Sequence, residues 1–242
     1  MRVKAIIEYD GSKFSGFQIQ KHTANTIIQA INDAISSLGI KSKVIGSGRT
    51  DKGVHAINQV IHFDIPKFWQ EKGLLELKTR LNHKLKFIRF KYIKEVSIDF
   101  HAQYSAKTRV YRYLIKTKEP KVFEKDYISF YKIKNINKLS KALKLFEGKH
   151  NFKYFKKEGS ITSSDIREVY KTKIVKKGDY IAIYFFANGY LRSQVRLMVA
   201  AILAYENGKI SKEDIKKQLM LKCKYISKPA SANGLYLANV FY

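Results

Sequence analysis

The chain has 242 residues, of which 45% are hydrophobic and 13% aromatic, so it can bury a full core and is not an intrinsically disordered polymer. Its single cysteine, Cys223, excludes an internal disulfide and any metal site built from several cysteines. Lys and Arg outnumber Asp and Glu by 47 to 20, a net charge of +27 that is spread through both halves. A basic body attracts polyanions, and nucleic acid is the default partner, although a bias towards lysine could produce the same charge without a partner.

The elements of the first half follow from apolar periodicity and from helix-capping signals. Thr26 and Gln29 form a capping box, the apolar residues that follow recur at helical spacing, and Gly39 can end that helix. Alternating or apolar runs mark the strands. The predicted strands cover residues 2–9, 43–48, 59–65 and 90–96, and the predicted helices cover residues 26–39 and about 67–82.

The second half repeats this alternation of strands and helices. We expect Asn137 to cap a helix that carries Leu139, Leu143 and Phe146 and that ends at Gly148. Ser211 and Asp214 form another capping box at the start of a short helix. The other predicted elements are a strand over 108–116, a hairpin over 167–187 that turns at 177–179, a helix over 190–206 and a last strand over 234–242.

This order of elements predicts an α+β fold. We expect two similar domains, each a mainly antiparallel sheet with helices on one face, with the active-site cleft between them. The predicted domains are residues 1–105 and 106–242. No stretch approaches 18 uninterrupted apolar residues, so no membrane span is expected. The segment MRVKAIIEYD lacks the apolar core of a signal peptide, and we therefore expect a cytoplasmic protein.

The stretch GSGRTDKGVH, residues 46–55, nearly matches the sequence motif of a phosphate-binding loop. A Walker loop needs glycine at its sixth position, where this chain has Asp51, and the dinucleotide fingerprint fails at the same residue. A carboxylate there would repel phosphate. The six histidines show no ligand pair at helical spacing with a nearby carboxylate, so the sequence also gives little support for a metal site.

What remains is Asp51 in a glycine-flanked turn after a strand, with Arg49 two residues before it. A neighbouring guanidinium favours the ionised form of a carboxyl group. An ionised Asp51 could act as a nucleophile, act as a base, or form half of a structural ion pair with Arg49. The residue types alone favour the structural pair, because aspartate is common in turns.

The segment GRTDKGVHA, residues 48–56, closely resembles the G-R-T-D-x-G-V-H-A signature of the tRNA pseudouridine synthase A family. Further matches follow in the family's order, so the resemblance covers essentially the full length. They are YDGSKFSGFQIQ (9–20), FHAQYSAKTRVYRYLI (100–115), HNFKYF (150–155), FFANGYLRSQVRLMV (185–199) and PASANGLYLANVFY (229–242).

The resemblance implies a role for four residues. Asp51 matches the catalytic aspartate, Tyr111 the tyrosine that stacks on the target base, and Arg196 the arginine that pairs with the aspartate. Arg49 matches an arginine thought to help displace the target base. The first predicted domain would then carry the aspartate loop, and the second would carry Tyr111 and Arg196.

The same resemblance implies the reaction and the partners. The enzyme would convert uridine to pseudouridine in the anticodon stem-loop of tRNA, at positions 38 to 40, as a homodimer and with no cofactor. Phe17 stands where the family usually has Trp, Lys52 where Ala is frequent and Ala200 where Gly often occurs. We expect His55 and His101 to be structural hydrogen-bonding residues.

Two alternatives stay open. One is an RNA-binding protein without activity, in which Asp51 is only a turn residue. The other is a general nucleic-acid-binding protein whose charge reflects lysine bias.

Overall fold

A computed structural model of the chain describes residues 1–159 and 162–242. It divides the chain into two compact units, which we call unit 1 (Met1–Lys107 with Tyr236–Tyr242) and unit 2 (Thr108–Leu235). The sequence-based division at residues 105 and 106 placed the last strand with the second half. In the structure that strand belongs mainly to unit 1, because Tyr236 and Leu237 pair with the strand that follows the Asp51 turn.

The predicted helices and strands occur in the predicted order, and the structure adds two short strands, at 129–130 and 148–151, that the sequence pattern did not indicate. The strands are β1 (Arg2–Tyr9), β2 (Ile45–Gly46), β3 (His55–Asp64), β4 (Ile88–Glu95), β5 (Thr108–Lys116), β6 (Ser129–Phe130), β7 (Gly148–Asn151), β8 (Ile166–Lys177), β9 (Tyr180–Ala187) and β10 (Leu235–Phe241). The helices are α1 (Ile27–Ser36), α2 (Lys67–Lys72), α3 (Leu74–Lys84), α4 (Ile136–Leu143), α5 (Gln194–Glu206) and α6 (Lys212–Leu219). Short 3₁₀ turns lie at Gly11–Lys13, Val122–Glu124, Lys144–Phe146 and Lys153–Phe155.

Unit 1 is built on a mainly antiparallel sheet. Strand β1 lies between β4 and β3 and is antiparallel to both, and β2 adds a short antiparallel pairing to β3. Strand β10 runs parallel to β3, with Tyr236 opposite His55. This arrangement brings the start of β3, immediately after the Asp51 turn, beside the end of β1 and the start of β10.

The core of unit 1 explains why β1 and α1 form where they do. Alternate residues of β1 are buried, and Val3, Ala5 and Ile7 are each 0% exposed. Helix α1 turns Ile27 and Ile31 into the same interior, and both are also 0% exposed. Each buried isoleucine contributes about 1.5–3 kcal/mol relative to an exposed one. Buried residues thus recur at every second position along β1 and at helical spacing along α1, and both elements contribute apolar side chains to the core.

Two boundaries in unit 1 differ from the sequence-based prediction. The helix expected over about 67–82 is two helices, α2 and α3, separated by Gly73 in the left-handed region at φ 94°. Strand β3 begins at His55 rather than at Gln59. It starts earlier because its pairing with β1 continues as far as Tyr9 opposite Ala56.

Unit 2 also carries a mainly antiparallel sheet. Strand β9 pairs antiparallel with both β5 and β8, β7 pairs with β8, and the short β6 runs parallel to β5. The predicted hairpin is confirmed: β8 and β9 turn at Gly178, whose φ of 55° suits glycine. The mixed fold with mainly antiparallel sheets and packed helices confirms the predicted fold class.

The helix starts in unit 2 include two corrections. Asn135, not Asn137, caps α4, and its Oδ1 accepts a hydrogen bond of 3.1 Å from the Lys138 N–H. Helix α5 begins at Gln194 rather than at Tyr190, because Ser193 has a left-handed backbone at φ 59°. The capping box of Ser211 is confirmed at the start of α6.

Within residues 1–159 and 162–242, no helix is both long enough and apolar enough to cross a membrane.

The position of the α4 cap can be tested by two matched substitutions. Asn135→Ala removes the side-chain acceptor at the helix start and should lower the free energy of unfolding by about 1 kcal/mol. Asn137 lies inside the first turn, where alanine is a good helix former. Asn137→Ala should therefore change the free energy of unfolding by no more than about 0.5 kcal/mol. Urea denaturation followed by circular dichroism measures both. Equal losses would contradict the assignment of the cap.

Candidate active site

The Asp51 loop, residues 47–54, connects β2 to β3 in unit 1 and is held on both sides of the aspartate. The Val54 N–H donates to the Asp51 carbonyl at 3.1 Å, which closes a tight turn that contains Gly53 at φ 78°. Before the aspartate, the Thr50 side chain is buried, and its hydroxyl lies 2.9 Å from the Tyr9 hydroxyl. The Asp51 side chain itself is partly exposed. The backbone is therefore fixed while the carboxylate stays accessible.

A buried glutamine supports the front of this loop. Gln59 is 0% exposed, and its Oε1 accepts a 2.7 Å hydrogen bond from the Ser47 hydroxyl. Its Nε2 donates to the Gly48 carbonyl at 2.8 Å. The Gln59 side chain thus joins β3 to the segment that enters the loop. Sequence reasoning gave this residue no role, although a polar side chain within an apolar strand run is a signal for such a function.

The segment 9–20, which carries the second motif of the chain, packs directly on the Asp51 loop. The Phe17 N–H donates to the Thr50 carbonyl at 3.0 Å, and the Gly11 N–H donates to His55 Nδ1 at 3.1 Å. A side chain at Gly11 would place its Cβ 1.9 Å from the Val54 carbonyl oxygen. Glycine at this position is therefore a condition for the two segments to meet.

His55 serves this packing as a hydrogen-bonding residue, as the sequence suggested. Its Nδ1 accepts the Gly11 N–H, and its ring stacks on Tyr236 with centroids 4.7 Å apart. Asp10 Oδ1 lies 3.4 Å from the same nitrogen and accepts its own hydrogen bonds from the Ser12 N–H and hydroxyl.

Arg49 lies in the same loop as Asp51. Its side chain is exposed, as is that of Lys52, so two exposed cationic residues flank the aspartate in sequence.

In unit 2, Tyr111 lies on β5 opposite Phe185 of β9 and is 7% exposed. The ring of Tyr190 packs edge-on against it, with centroids 5.1 Å apart and planes at 87°. Burial raises the pKa of Tyr190 well above its ordinary value, so its phenol stays protonated. Arg109 donates to the Asn188 carbonyl at 2.8 Å and so holds the segment that precedes Tyr190.

Tyr190 was read from the sequence as the first residue of a helix, and its contact with Tyr111 was not foreseen. The signal lay in the motif FFANGY, where an aromatic side chain follows a glycine just after a strand. Because the chain leaves the strand there without forming a helix, this ring can turn back onto β5.

Arg196, in the first turn of α5, is fixed to the segment that precedes β10. Its Nε donates to the Ala230 carbonyl at 2.7 Å, and the Ala230 N–H donates to the Arg196 carbonyl at 3.1 Å. At the start of the helix, Gln194 Oε1 accepts from the Leu191 N–H at 2.8 Å. The guanidinium is partly exposed, so its position is defined while part of its surface remains accessible.

Of the four residues that sequence analysis selected, Asp51 and Arg49 lie in unit 1, and Tyr111 and Arg196 lie in unit 2. Among residues 1–159 and 162–242, no group of three or more His, Cys, Asp or Glu side chains could hold a metal ion.

The close approach at Gly11 can be tested by comparing two glycine substitutions. Gly11→Ala should lower the free energy of unfolding by about 3 kcal/mol or more, because the new Cβ collides with backbone that cannot move aside. Gly178→Ala is the matched control: in the described structure it has open space and only its positive φ opposes alanine, at a cost of about 1–2 kcal/mol. Urea denaturation measures both, and amide hydrogen exchange at Val54 reports on the loop. An equal effect of the two changes would contradict the steric argument.

Comparison with known proteins agrees with the motifs. A family model described as tRNA pseudouridine synthase matches residues 5–105 and again residues 142–242, once in each half of the chain. A tRNA pseudouridine synthase A from Helicobacter hepaticus is 40% identical over 243 residues, which cover 99% of this chain and 98% of the relative. A protein of the same name from Wolinella succinogenes is 37% identical, over 98% of this chain and 93% of the relative. Another, from Helicobacter pylori, is 39% identical, over 99% of this chain and 98% of the relative. With two matches to the family model and full-length relatives above 30% identity, this chain belongs to the tRNA pseudouridine synthase family.

Proposed function

We propose that this protein is a tRNA pseudouridine synthase, an isomerase that converts uridine to pseudouridine in tRNA. Membership of the family supports the reaction class, and the net charge of +27 suits a polyanionic substrate. The single observation that carries the proposal is the Asp51 loop. There a partly exposed aspartate stands in the chain between the exposed Arg49 and Lys52, and the Val54 N–H and the buried Thr50–Tyr9 contact hold the loop on both sides of it.

The reaction moves atoms within one nucleotide. The bond between N1 of uracil and C1′ of the ribose breaks, the uracil turns, and a bond forms between C5 and C1′. The proton on C5 leaves and N1 gains one, so the product has the composition of the substrate. Nothing is oxidised or reduced. The target base must leave its stack to reach an enzyme side chain, at a cost of a few kcal/mol.

Asp51 is the proposed nucleophile. Its backbone is fixed by the Val54 N–H and by the anchored Thr50, which limits the movement of the carboxylate relative to the target. The carboxylate can attack the base, attack C1′ of the ribose, or remove a proton from the sugar, and each route needs the same ionised side chain close to the glycosidic bond. Arg49, exposed in the same loop, is positioned in this proposal to help displace the target base.

Tyr111 is the proposed stacking partner of the displaced uracil. Stacking of a base on an aromatic ring is worth about 1–3 kcal/mol, enough to offset part of the unstacking cost. The edge-on contact with Tyr190 supports the proposal because it fixes the plane of the Tyr111 ring before substrate arrives. Arg196 is proposed to pair with the catalytic carboxylate, with its own position set by the Ala230 carbonyl.

The finer features rest on the family resemblance. We propose modification of the anticodon stem-loop at positions 38 to 40, a homodimeric assembly and a cytoplasmic location. Mapping pseudouridines in tRNA from cells with and without this protein tests the positions, and sedimentation of the purified protein tests the assembly.

Incubation of the purified protein with unmodified tRNA tests the function directly. Formation of pseudouridine supports the proposal. Its absence, with tRNA still bound, would favour an RNA-binding protein without activity. Equal affinity for tRNA and duplex DNA at physiological salt would instead indicate binding by charge alone.

Asp51→Asn should abolish pseudouridine formation and leave tRNA affinity nearly unchanged, because the amide keeps the size of the side chain but cannot act as a nucleophile. The matched control is Asp33→Asn on α1, an exposed aspartate that accepts a hydrogen bond from Gln29. That variant should keep the wild-type rate. Single-turnover kinetics and equilibrium binding measure the two effects. Residual turnover of Asp51→Asn within about tenfold of wild type (~1.4 kcal/mol) would overturn the assignment.

Arg196→Lys should lower kcat/KM about tenfold or more, because an ammonium group lacks the planar fork that can bond Ala230 and a carboxylate together. Arg80→Lys is the control, since Arg80 forms an exposed i,i+4 ion pair with Glu76 that lysine can replace. Steady-state kinetics on unmodified tRNA compares the two variants. An unaffected rate for Arg196→Lys would argue against a role for the guanidinium.

A further inference from the structure

The motif FHAQYSA, residues 100–106, contains an aromatic pair that the proposed chemistry does not use. The rings of His101 and Tyr104 are stacked, with centroids 4.3 Å apart and planes at 25°. Tyr104 is nevertheless 78% exposed, so the imidazole covers little of its surface and the phenol ring stands in solvent. The feature that sets Tyr104 apart from a freely moving surface ring is this stacking on the imidazole of His101.

The imidazole ring of His101, on which Tyr104 stacks, is held in place by hydrogen bonds. His101 Nδ1 accepts hydrogen bonds of 3.2 Å from the backbone N–H groups of Gln103 and Tyr104, which ties the imidazole to the turn that carries the tyrosine. The His101 backbone N–H donates to the Ser105 hydroxyl at 3.1 Å. The other side of His101 contacts the ring of the buried His62, with centroids 4.9 Å apart.

His62 is in turn fixed and uncharged. Its Nδ1 accepts the Ala102 N–H at 3.1 Å, and burial together with the neighbouring His101 lowers its pKa to about 4. His62 therefore supports His101 by an edge-to-face contact, and His101 stacks on Tyr104, which presents a solvent-exposed aromatic face. Little conformational entropy remains to be lost when a flat ligand stacks on it.

The surroundings of Tyr104 favour a nucleobase over a protein surface. Its neighbours Gln103 and Lys107 are exposed and polar, whereas the core of a protein interface is apolar and depleted of charge. Isolated aromatic rings on a basic surface are the usual platforms for unpaired bases, because every base has a π-face. The net charge of +27 supplies the attraction for the phosphates that accompany the base.

The length of β3 separates this base from the target, because the Asp51 carbonyl is bonded to Val54 just before the start of the strand, whereas the His101 ring contacts His62 near its end. His55 follows the loop at the start of β3, and His62 lies seven residues further along the same strand. At about 3.4 Å per residue, that is roughly 24 Å. We propose that Tyr104, backed by His101, is a second stacking site that holds an unpaired nucleobase of the bound tRNA away from the reacting uridine. This proposal rests on tRNA being the substrate.

Binding and kinetics of two Tyr104 variants test the site. Tyr104→Leu removes the aromatic face, and both the Kd for unmodified tRNA and KM should rise by about fivefold or more while kcat stays near wild type. Tyr104→Phe keeps the face and should behave as wild type. Tyr92→Leu, at a tyrosine of unit 1 that is 53% exposed, is the matched control and should have no such effect.

The choice of RNA distinguishes stacking from charge. Tyr104→Leu should weaken binding of single-stranded oligouridylate but leave binding of a blunt RNA duplex unchanged, because a paired base cannot reach the ring. An equal loss for Tyr104→Phe, or an equal loss for duplex and single strand, would overturn the proposal. A change in the sedimentation of Tyr104→Leu with unchanged RNA affinity would also overturn it and indicate a contact between protein copies.

These measurements separate this inference from the proposed function. Equilibrium binding needs no turnover, so absence of pseudouridine formation by the wild-type protein would defeat the proposed function and still leave the stacking site testable. An unaltered Kd for Tyr104→Leu, with normal turnover, would defeat the stacking site alone.

Discussion

The close approach of Gly11 to the Val54 carbonyl is the constraint on which the candidate catalytic loop depends. Gly11 and Val54, which are 43 positions apart in the chain (54 − 11), meet there backbone to backbone, and the 1.9 Å clearance for a Cβ leaves room for a hydrogen atom but not for a side chain. The hydrogen bonds from Phe17 to Thr50 and from Gly11 to His55 form only once the segments are this close. A displacement of about 1 Å at a reacting group can cost two orders of magnitude in rate, so such packing has a functional reason.

A similar principle organises the groups of unit 2. Tyr111 sits on a central strand and is braced by the ring of Tyr190, while Arg196 sits in the first turn of a helix and is tied to Ala230. The proposed reactive and substrate-binding groups thus stand on strands, helix starts or anchored turns. Sites built on such elements hold their geometry better than sites on free loops.

Charge and specific recognition have separate sources in this chain. The many lysines give a basic body that attracts RNA without regard to sequence. Rigid aromatic faces and the few arginines supply directional contacts, because a guanidinium offers a planar fork and a ring offers a flat face. We propose that the Tyr104 pair and the Asp51 loop act on one RNA at two places, the first for binding and the second for chemistry.

Local patterns were sufficient to predict most of the secondary structure. The strands β1, β5, β8 and β9 and the caps of α1 and α6 appear where periodicity and capping signals placed them. The errors have physical causes that lie outside those patterns. Asn137 has the residue type of a cap, but Glu206 Oε1 accepts the Asn135 N–H at 2.7 Å and favours the earlier start. Helix α5 starts later than predicted because Ser193 adopts a left-handed backbone, which the residue pattern did not indicate.

Patterns along the chain were enough to predict the α+β class and the main helices and strands, and to show the signature whose resemblance points to Asp51, Tyr111, Arg196 and Arg49, because these patterns depend on residues that are neighbours in the chain. Three features became visible only in the folded chain: the last strand joins unit 1, Gly11 lies against Val54, and Tyr190 braces Tyr111. Each of them is a contact in space between side chains or backbone groups. Packing in three dimensions sets them, and spacing along the chain does not.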